Sequence, residues 1–343
     1  MEKYILPTGT DGFASTYIPS ENRGFFPNLS DFQILEDIAQ GGMGIVYKVF
    51  DRKEKRISAL KVLNLAVLLP EEREEEIARF QREARLAMEI EHPALVKAYR
   101  AGCENGIWYY AMEYIPGEDL GEIIDRQGTM EVEEVIPIMI TIAKALQYIE
   151  EKGMVHRDLK PDNILIGYDG TVKLCDYGLL RRKKVSTAIT SAGISIGTPN
   201  YMSPEQAKGD VELDIRSDIY SLGMTLYHLL TGKTPFESTS VTLTLSRHIF
   251  EKVPSIRKYN PEIHPDLEGI IAKMTEKKPS KRFQSAKDLV EALENFFSCH
   301  LQKKEPTHKK NNNSSEQKQL QFHFDAEQLQ LPFFHHQRKT KAF

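Results

Sequence analysis

The chain has 343 residues, 41% of them hydrophobic and 27% charged, and carries a formal net charge of −4. That length supplies material for two lobes with sizeable cores; the slightly acidic balance offers no basic field for nucleic acid. Cys103, Cys175 and Cys299 lie far apart with no C-x-x-C pair, which excludes a disulfide scaffold and a zinc ribbon and suits a reducing, cytoplasmic compartment. No apolar run reaches the roughly 18 residues of a membrane span, and MEKYILPTGTDG, broken by Pro7, lacks a signal-peptide pattern.

In chain order, residues 1–31 are rich in Gly, Pro, Ser and Asn and read as an extension. Three strand-like runs follow, FQILEDIA, GIVYKVFD and ISALKVL, between residues 32 and 63. EEREEEIARFQREARLAMEI (71–90) predicts a helix, with Ile77, Phe80, Ala84 and Ala87 on one face and acids in its first turns. LVKAYRAG (95–102) and GIWYYAMEY (106–114) predict two more strands, and IPGEDL breaks the pattern. Helices are predicted at 131–151, near 216–231 with Gly232 closing it, at 266–275 and at 285–298. The resulting divisions are 32–115, strand-rich with one helix, and 116–298, mostly helical. Residues 299–343, including KKEPTHKKNNNSSEQKQ, are polar and low in complexity and read as a disordered tail.

The glycines of QGGMGIVYKVFD (40–51) sit between two strand candidates. Backbone without Cβ atoms can approach a polyphosphate closely; taken alone, the same segment is equally an ordinary hairpin turn. Lys61 interrupts the apolar SALKVL, and Glu83 interrupts the apolar face of the following helix. Two charges intruding on buried faces point to an ion pair placed for a ligand.

The segments MVHRDLKPDNILI (154–166) and VKLCDYG (172–178) carry the strongest signal. With GGMGIVY and GTPNYMSPEQ they closely resemble the protein kinase superfamily, and in detail the bacterial serine/threonine kinases, over residues 32–298. The resemblance implies an α+β, bilobal protein kinase fold: an antiparallel sheet plus one helix, then a mostly helical lobe. It implies transfer of the ATP γ-phosphate to serine or threonine hydroxyls of protein substrates, with Mg²⁺ or alternatively Mn²⁺, chemistry that rests on alignment and charge neutralisation. Asp158 is then the base, and Lys160 steadies the γ-phosphate. Lys61 holds the α/β-phosphates and Glu83 orients it, while Asn163 and Asp176 are hard-oxygen metal ligands.

By the same resemblance Ala39, Gly41, Gly42 and Gly44 line the phosphate loop. Val46, Ala59 and Leu165 flank the adenine, Met112 is the gatekeeper, and Glu113 and Ile115 offer hinge backbone. Cys175 reads as a small packed residue behind that pocket. Thr198, Glu205, Asp218 and Arg282 are structural: Thr198 bonds Asp158, Arg282 pairs with Glu205, and Asp218 holds the catalytic-loop backbone.

Three departures stand out: Tyr177 and Ser203 replace the Phe and Ala of the family patterns, and Ala39 takes the place of the loop's first glycine. If that site requires positive φ, alanine costs about 1–2 kcal/mol. Arg157 before Asp158 suggests activation by phosphate in the segment 176–205. Among Ser186, Thr187, Thr190, Ser191 and Ser195, the first choices are Thr190 and Ser191, modified through a transient homodimer in trans. The alternative to an active kinase is a catalytically weak pseudokinase or scaffold, motivated by Ala39 and the terminal segments. A small-molecule kinase is disfavoured by GTPNYMSPEQ, where a peptide substrate would lie.

Overall fold

The computed structural model describes residues 27–41, 44–65, 68–176 and 199–302, and the backbone of 181–182. Their contacts divide these described residues into two compact units, one made of those up to 88 together with 98–114, the other of 89–97 and those from 115 to 302.

The first unit is a five-stranded antiparallel sheet with one helix. Strands β1 (Phe32–Gly41), β2 (Gly44–Asp51), β3 (Arg56–Leu63), β4 (Ala98–Glu104) and β5 (Ile107–Met112) pair in the order β1-β2-β3-β5-β4. Alternation sorts their side chains. Ile45, Tyr47, Val49, Leu60, Val62, Tyr109 and Ala111 form one apolar cluster with Leu29 and Phe32. The intervening residues Val46, Ala59, Lys61, Tyr110 and Met112 belong to the other face: Val46 pairs with Lys61, which pairs with Tyr110, and Ala59 pairs with Met112. Helix α1 (Arg73–Glu89) buries Phe80, Glu83, Ala84, Leu86 and Ala87, while Ile77 is half-buried.

The second unit is mostly helical. Short strands β6 (Gly117–Asp119), β8 (Ile164–Gly167) and β9 (Val172–Leu174) make one small sheet, and β7 (Met154–Val155) pairs with β10 (Arg181–Arg182). The helices are α2 (Leu120–Gln127), α3 (Val132–Glu151), α4 (Pro204–Ala207), α5 (Ile215–Thr231), α6 (Val241–Phe250), α7 (Pro265–Met274) and α8 (Ala286–Phe296). Helix α5 packs against α3, α7 and α8 and is buried over nearly its whole surface. It ends where Gly232 takes φ 66° and packs against the Gly128 carbonyl so closely that a Cβ would lie 2.4 Å from that oxygen.

Several predicted elements shift for identifiable reasons. The fourth strand begins at Ala98 rather than 95, because Val96 N–H donates to Leu174 O and Leu174 N–H to Ala94 O, which ties 94–96 to the second unit. Helices α2 and α6 are absent from the pattern reading. The α2 signal is a capping box, Asp119 accepting from Glu122 N while Glu122 reaches back. The α6 sequence VTLTLSRHIF is β-branched and strand-like, but burial of Thr244 and His248 makes it a helix. After α8 the chain widens into a π-helical turn, Phe297–Leu301.

Two buried polar groups fix the helices to one another. His248 Nδ1 lies 2.9 Å from Tyr220 Oη, which accepts from Lys277 Nζ at 3.1 Å. Burial drives the His248 pKa down to about 3 and that of Lys277 to about 8. Arg282 is 2% exposed, yet all five of its N–H donors are used. Two reach Glu205 as a fork at 2.6 and 2.9 Å, and the others reach the carbonyls of Arg216, Glu276 and Lys277. Burial alone raises the Glu205 pKa, but the Arg282 bonds and charge, with the Ser217 hydroxyl, outweigh it and hold the carboxyl below its ordinary value.

A depressed folded-state pKa contributes stability that is present above the unfolded value and lost as pH falls through the folded one. The unfolding midpoint should therefore drop as pH falls below about 4.3. Arg282→Lys leaves part of this cage unpaired. It should lower stability by about 2–4 kcal/mol at neutral pH, and thermal melts between pH 3 and 7 measure both effects.

Candidate functional site: two clusters of charged residues

Each unit contributes one cluster. In the first, Lys61 on β3 donates to Glu83 Oε1 at 2.7 Å, and Tyr110 Oη donates to the same oxygen at 2.7 Å. The side chains are 12% and 2% exposed. Burying such a pair costs desolvation, and removing one partner strands the other charge, typically at 3–5 kcal/mol. The strand register sets Lys61 on the sheet face that carries Val46, Ala59 and Met112; Ala59 is buried, Val46 and Met112 half-buried. Glu113 is half-buried just after β5.

Gly41 closes the β1–β2 hairpin opposite Gly44. A Cβ on Gly44 would lie 2.2 Å from Val62 O, so β3 alone already demands a glycine there. Ala39 is exposed on β1 opposite Val46, and its φ is not in the left-handed region, which among the described non-glycine residues holds Lys55, Asn105, Arg157 and Asp176. The expected 1–2 kcal/mol penalty for alanine therefore does not arise: the strand takes a negative φ that any L-residue adopts. Gly42 lies outside the described residues.

The second cluster follows β7. Asn163 Nδ2 donates to Asp158 O at 2.7 Å and to Asp158 Oδ2 at 3.1 Å, and Lys160 Nζ lies 3.4 Å from the same carboxylate oxygen. Asn163 is buried within a 3₁₀ turn, Pro161–Asn163, and its carbonyl accepts from Cys175 N at 2.9 Å, which fixes the approach to Asp176. With both observed Nδ2 bonds turned towards Asp158, the Asn163 amide oxygen remains for another partner. Hard oxygens from Asn163 and Asp176 form a donor set suited to Mg²⁺ or Mn²⁺. Leu165 is half-buried on β8, Ile115 half-buried at the start of this unit, and Cys175 partly exposed.

Arg157 and Asp176 take φ of 72° and 63°, left-handed values that cost about 1–3 kcal/mol without glycine and persist only where surroundings hold them. At Arg157 those surroundings are visible. Asp218, fully buried on α5, accepts from His156 N at 2.7 Å and Arg157 N at 2.8 Å. Gln206 Nε2 donates to Arg157 O at 2.7 Å. Burial pushes the Asp218 pKa up, against the pull of His156 and of those two N–H groups.

Gln206 is a residue that pattern reading passes over, although it stands in the quoted MSPEQ segment. Ser203 caps α4 by accepting from Gln206 N, and Gln206 Oε1 accepts from Ser203 N, so serine at this position adds a capping box. Tyr110, joining Glu83, and Ser217, donating to Glu205, carry no sequence signal beyond burial. Tyr177, Ser186, Thr187, Thr190, Ser191, Ser195 and Thr198 lie outside the described residues.

These two clusters sit on an antiparallel sheet with one helix and on a helical unit, the architecture of a protein kinase. A family model described as "Protein kinase domain" matches residues 32–295, and the chain belongs to that family. Among curated proteins it is similar to serine/threonine-protein kinase PrkC of Bacillus subtilis (37% identity, 78% of this chain, 40% of that protein). It is similar also to serine/threonine-protein kinase pkn3 of Myxococcus xanthus (38% identity, 73% of this chain, 47% of that protein) and to serine/threonine-protein kinase PknB of Mycobacterium leprae (36% identity, 77% and 42%). The chain thus spans less than half the length of these relatives. No helix among the described residues is long and apolar enough to cross a membrane.

Asp218→Ala should leave the two buried N–H groups unpaired at about 1–3 kcal/mol each and release the Arg157 backbone. Hydrogen exchange should show the His156 and Arg157 amides losing protection beyond the global loss. Asp218→Asn, keeping one acceptor oxygen, should fall between.

Proposed function

We propose that the chain is a serine/threonine protein kinase, transferring the γ-phosphoryl group of ATP to serine and threonine hydroxyls of proteins. The observation that carries this reading is the hydrogen-bonded Asp158–Asn163–Lys160 cluster. The buried Lys61–Glu83 pair supports it, and so does the similarity to proteins named as serine/threonine-protein kinases.

Asp158 orients the acceptor hydroxyl and takes its proton, with Asn163 holding the carboxylate in place. Lys160 places positive charge where the transferred group becomes more anionic. Lys61, kept in one rotamer by Glu83 and Tyr110, neutralises the α/β-phosphates. Asn163 and Asp176 hold the divalent cation, which when bound screens phosphate charge and fixes the triphosphate. Val46, Ala59, Met112 and Leu165 supply apolar contact for the base, with Glu113 and Ile115 offering backbone groups. Gly41, Gly42 and Gly44 let the hairpin backbone come near phosphate; at Gly44 this serves alongside the packing demand of β3.

Thr190 and Ser191 are the proposed autophosphorylation sites, reached in trans through a transient homodimer. Their modification would compensate Arg157. The cytoplasm is the proposed compartment, in keeping with three cysteines of which none is in a disulfide. Ala39 no longer motivates a pseudokinase reading, since its extended backbone demands no glycine.

The deciding experiment incubates the purified chain with Mg²⁺-ATP and a generic acceptor protein, then maps phosphate by mass spectrometry. Phosphoserine and phosphothreonine should appear on the acceptor; nucleotide binding without transfer would overturn the reading. Asp158→Asn should slow transfer by about 10²–10⁴-fold while leaving ATP affinity intact. Ala39→Gly should not tighten ATP binding. It should instead lower the unfolding free energy by about 0.5–1 kcal/mol through added strand entropy, measured by calorimetry and denaturant titration.

A further inference from the structure

We propose that His264, Asp266 and His300 form a binding site for one divalent transition-metal ion, zinc foremost, joining the start of α7 to the π-turn after α8. One ligand atom from each of the three lies within 4.8 Å of the others. Asp266 Oδ2 is 3.0 Å from His300 Nε2 and 3.6 Å from His264 Nδ1. Ligands bonded tetrahedrally at about 2.0–2.1 Å stand roughly 3.3–3.5 Å apart, so the two distances to Asp266 need shifts of only a few tenths of an ångström, and rotation of the exposed imidazoles closes the third. Two imidazoles and a carboxylate suit zinc and its borderline neighbours, whereas Mg²⁺ prefers an all-oxygen shell.

His300 follows Asp266 by 34 positions and His264 by 36, and the three meet through local geometry. His264 is the N-cap of α7, an unusual residue for that position, and its Nδ1 accepts from Asp266 N at 3.2 Å. The π-turn Phe297–Leu301 brings His300 round so that the two imidazole rings stand 4.0 Å apart, and Phe296 packs 4.9 Å from the His300 ring. All three ligand residues are exposed, and an adjoining cavity of about 480 Å³, lined by Asp266, Phe296, Cys299 and His300, gives access for a water as fourth ligand.

Binding exchanges one cap hydrogen bond and the His300–Asp266 hydrogen bond for three coordinate bonds. The helix dipole opposes a cation at this end, and the Asp266 charge offsets it. The consequence is mechanical: the ion clips the π-helical turn after α8 to the start of α7.

The test uses the full chain stripped with EDTA. Calorimetric titration with Zn²⁺ should give one equivalent lost in His300→Gln and Asp266→Asn, each weakening binding at least about 10–100-fold. Zn²⁺, but not Mg²⁺, should raise the melting temperature of the wild type and not that of the variants. Equal melts of all three proteins in EDTA show that the variants fold. Should a variant melt early, Co²⁺-induced paramagnetic broadening of the His264 and His300 ring signals in the wild type decides instead. Absence of Zn²⁺ binding, binding undiminished in both variants, or unbroadened His264 and His300 signals would overturn the proposal.

Discussion

One carboxylate organises the second unit. Asp218 is buried in the first turn of α5 and spends its oxygens on two consecutive backbone N–H groups, His156 and Arg157. A buried carboxylate is costly unless its bonds are met, and here they are met by a stretch that needs restraint. Arg157 stands at positive φ, a conformation an arginine abandons unless its peptide groups are held on both sides. Asp218 holds the N–H side and Gln206 the carbonyl side. The positions of Asp158, Lys160 and Asn163 follow from that clamp.

The same helix turn anchors the rest. Ser217 donates to Glu205, Arg282 forks onto Glu205 and bonds the Arg216 carbonyl, and Tyr220 carries the His248–Lys277 contact. Side chains from α4, α6 and the 276–282 segment thus converge on α5 through polar bonds inside an apolar unit. Such networks hold only when fully satisfied, and Arg282, with every donor engaged, meets that condition. In the first unit the corresponding device is simpler. A two-faced sheet buries its apolar residues on one side, and on the other the Lys61–Glu83 ion pair ties β3 to α1.

Much of this was readable from residue order. Lys61 and Glu83 announce themselves as charges on otherwise apolar faces, and HRDLKPDN is a density of polar residues that no ordinary strand connection requires. Strands β2 and β3 follow directly from alternation. The reading failed where local preference and tertiary packing disagree: VTLTLSRHIF has strand propensity yet is helical because Thr244 and His248 are buried. Residues 94–96 look like the beginning of β4, but their hydrogen bonds go to Leu174. Ala39 looks like a defect only because a glycine pattern suggests left-handed backbone, whereas the strand, though its register shifts between Asp37 and Ala39, keeps Ala39 out of that region.

The sequence by itself determined the family, the order of the longer strands and helices and the residue types of both charged clusters, because periodicity and motif spacing are local properties. Only the tertiary structure decided that Gly44 answers to the Val62 carbonyl, that Gln206 braces Arg157, and that His264 and Asp266 meet His300. Each of these depends on segments brought together by burial, and contacts between distant segments leave no period for a pattern to detect.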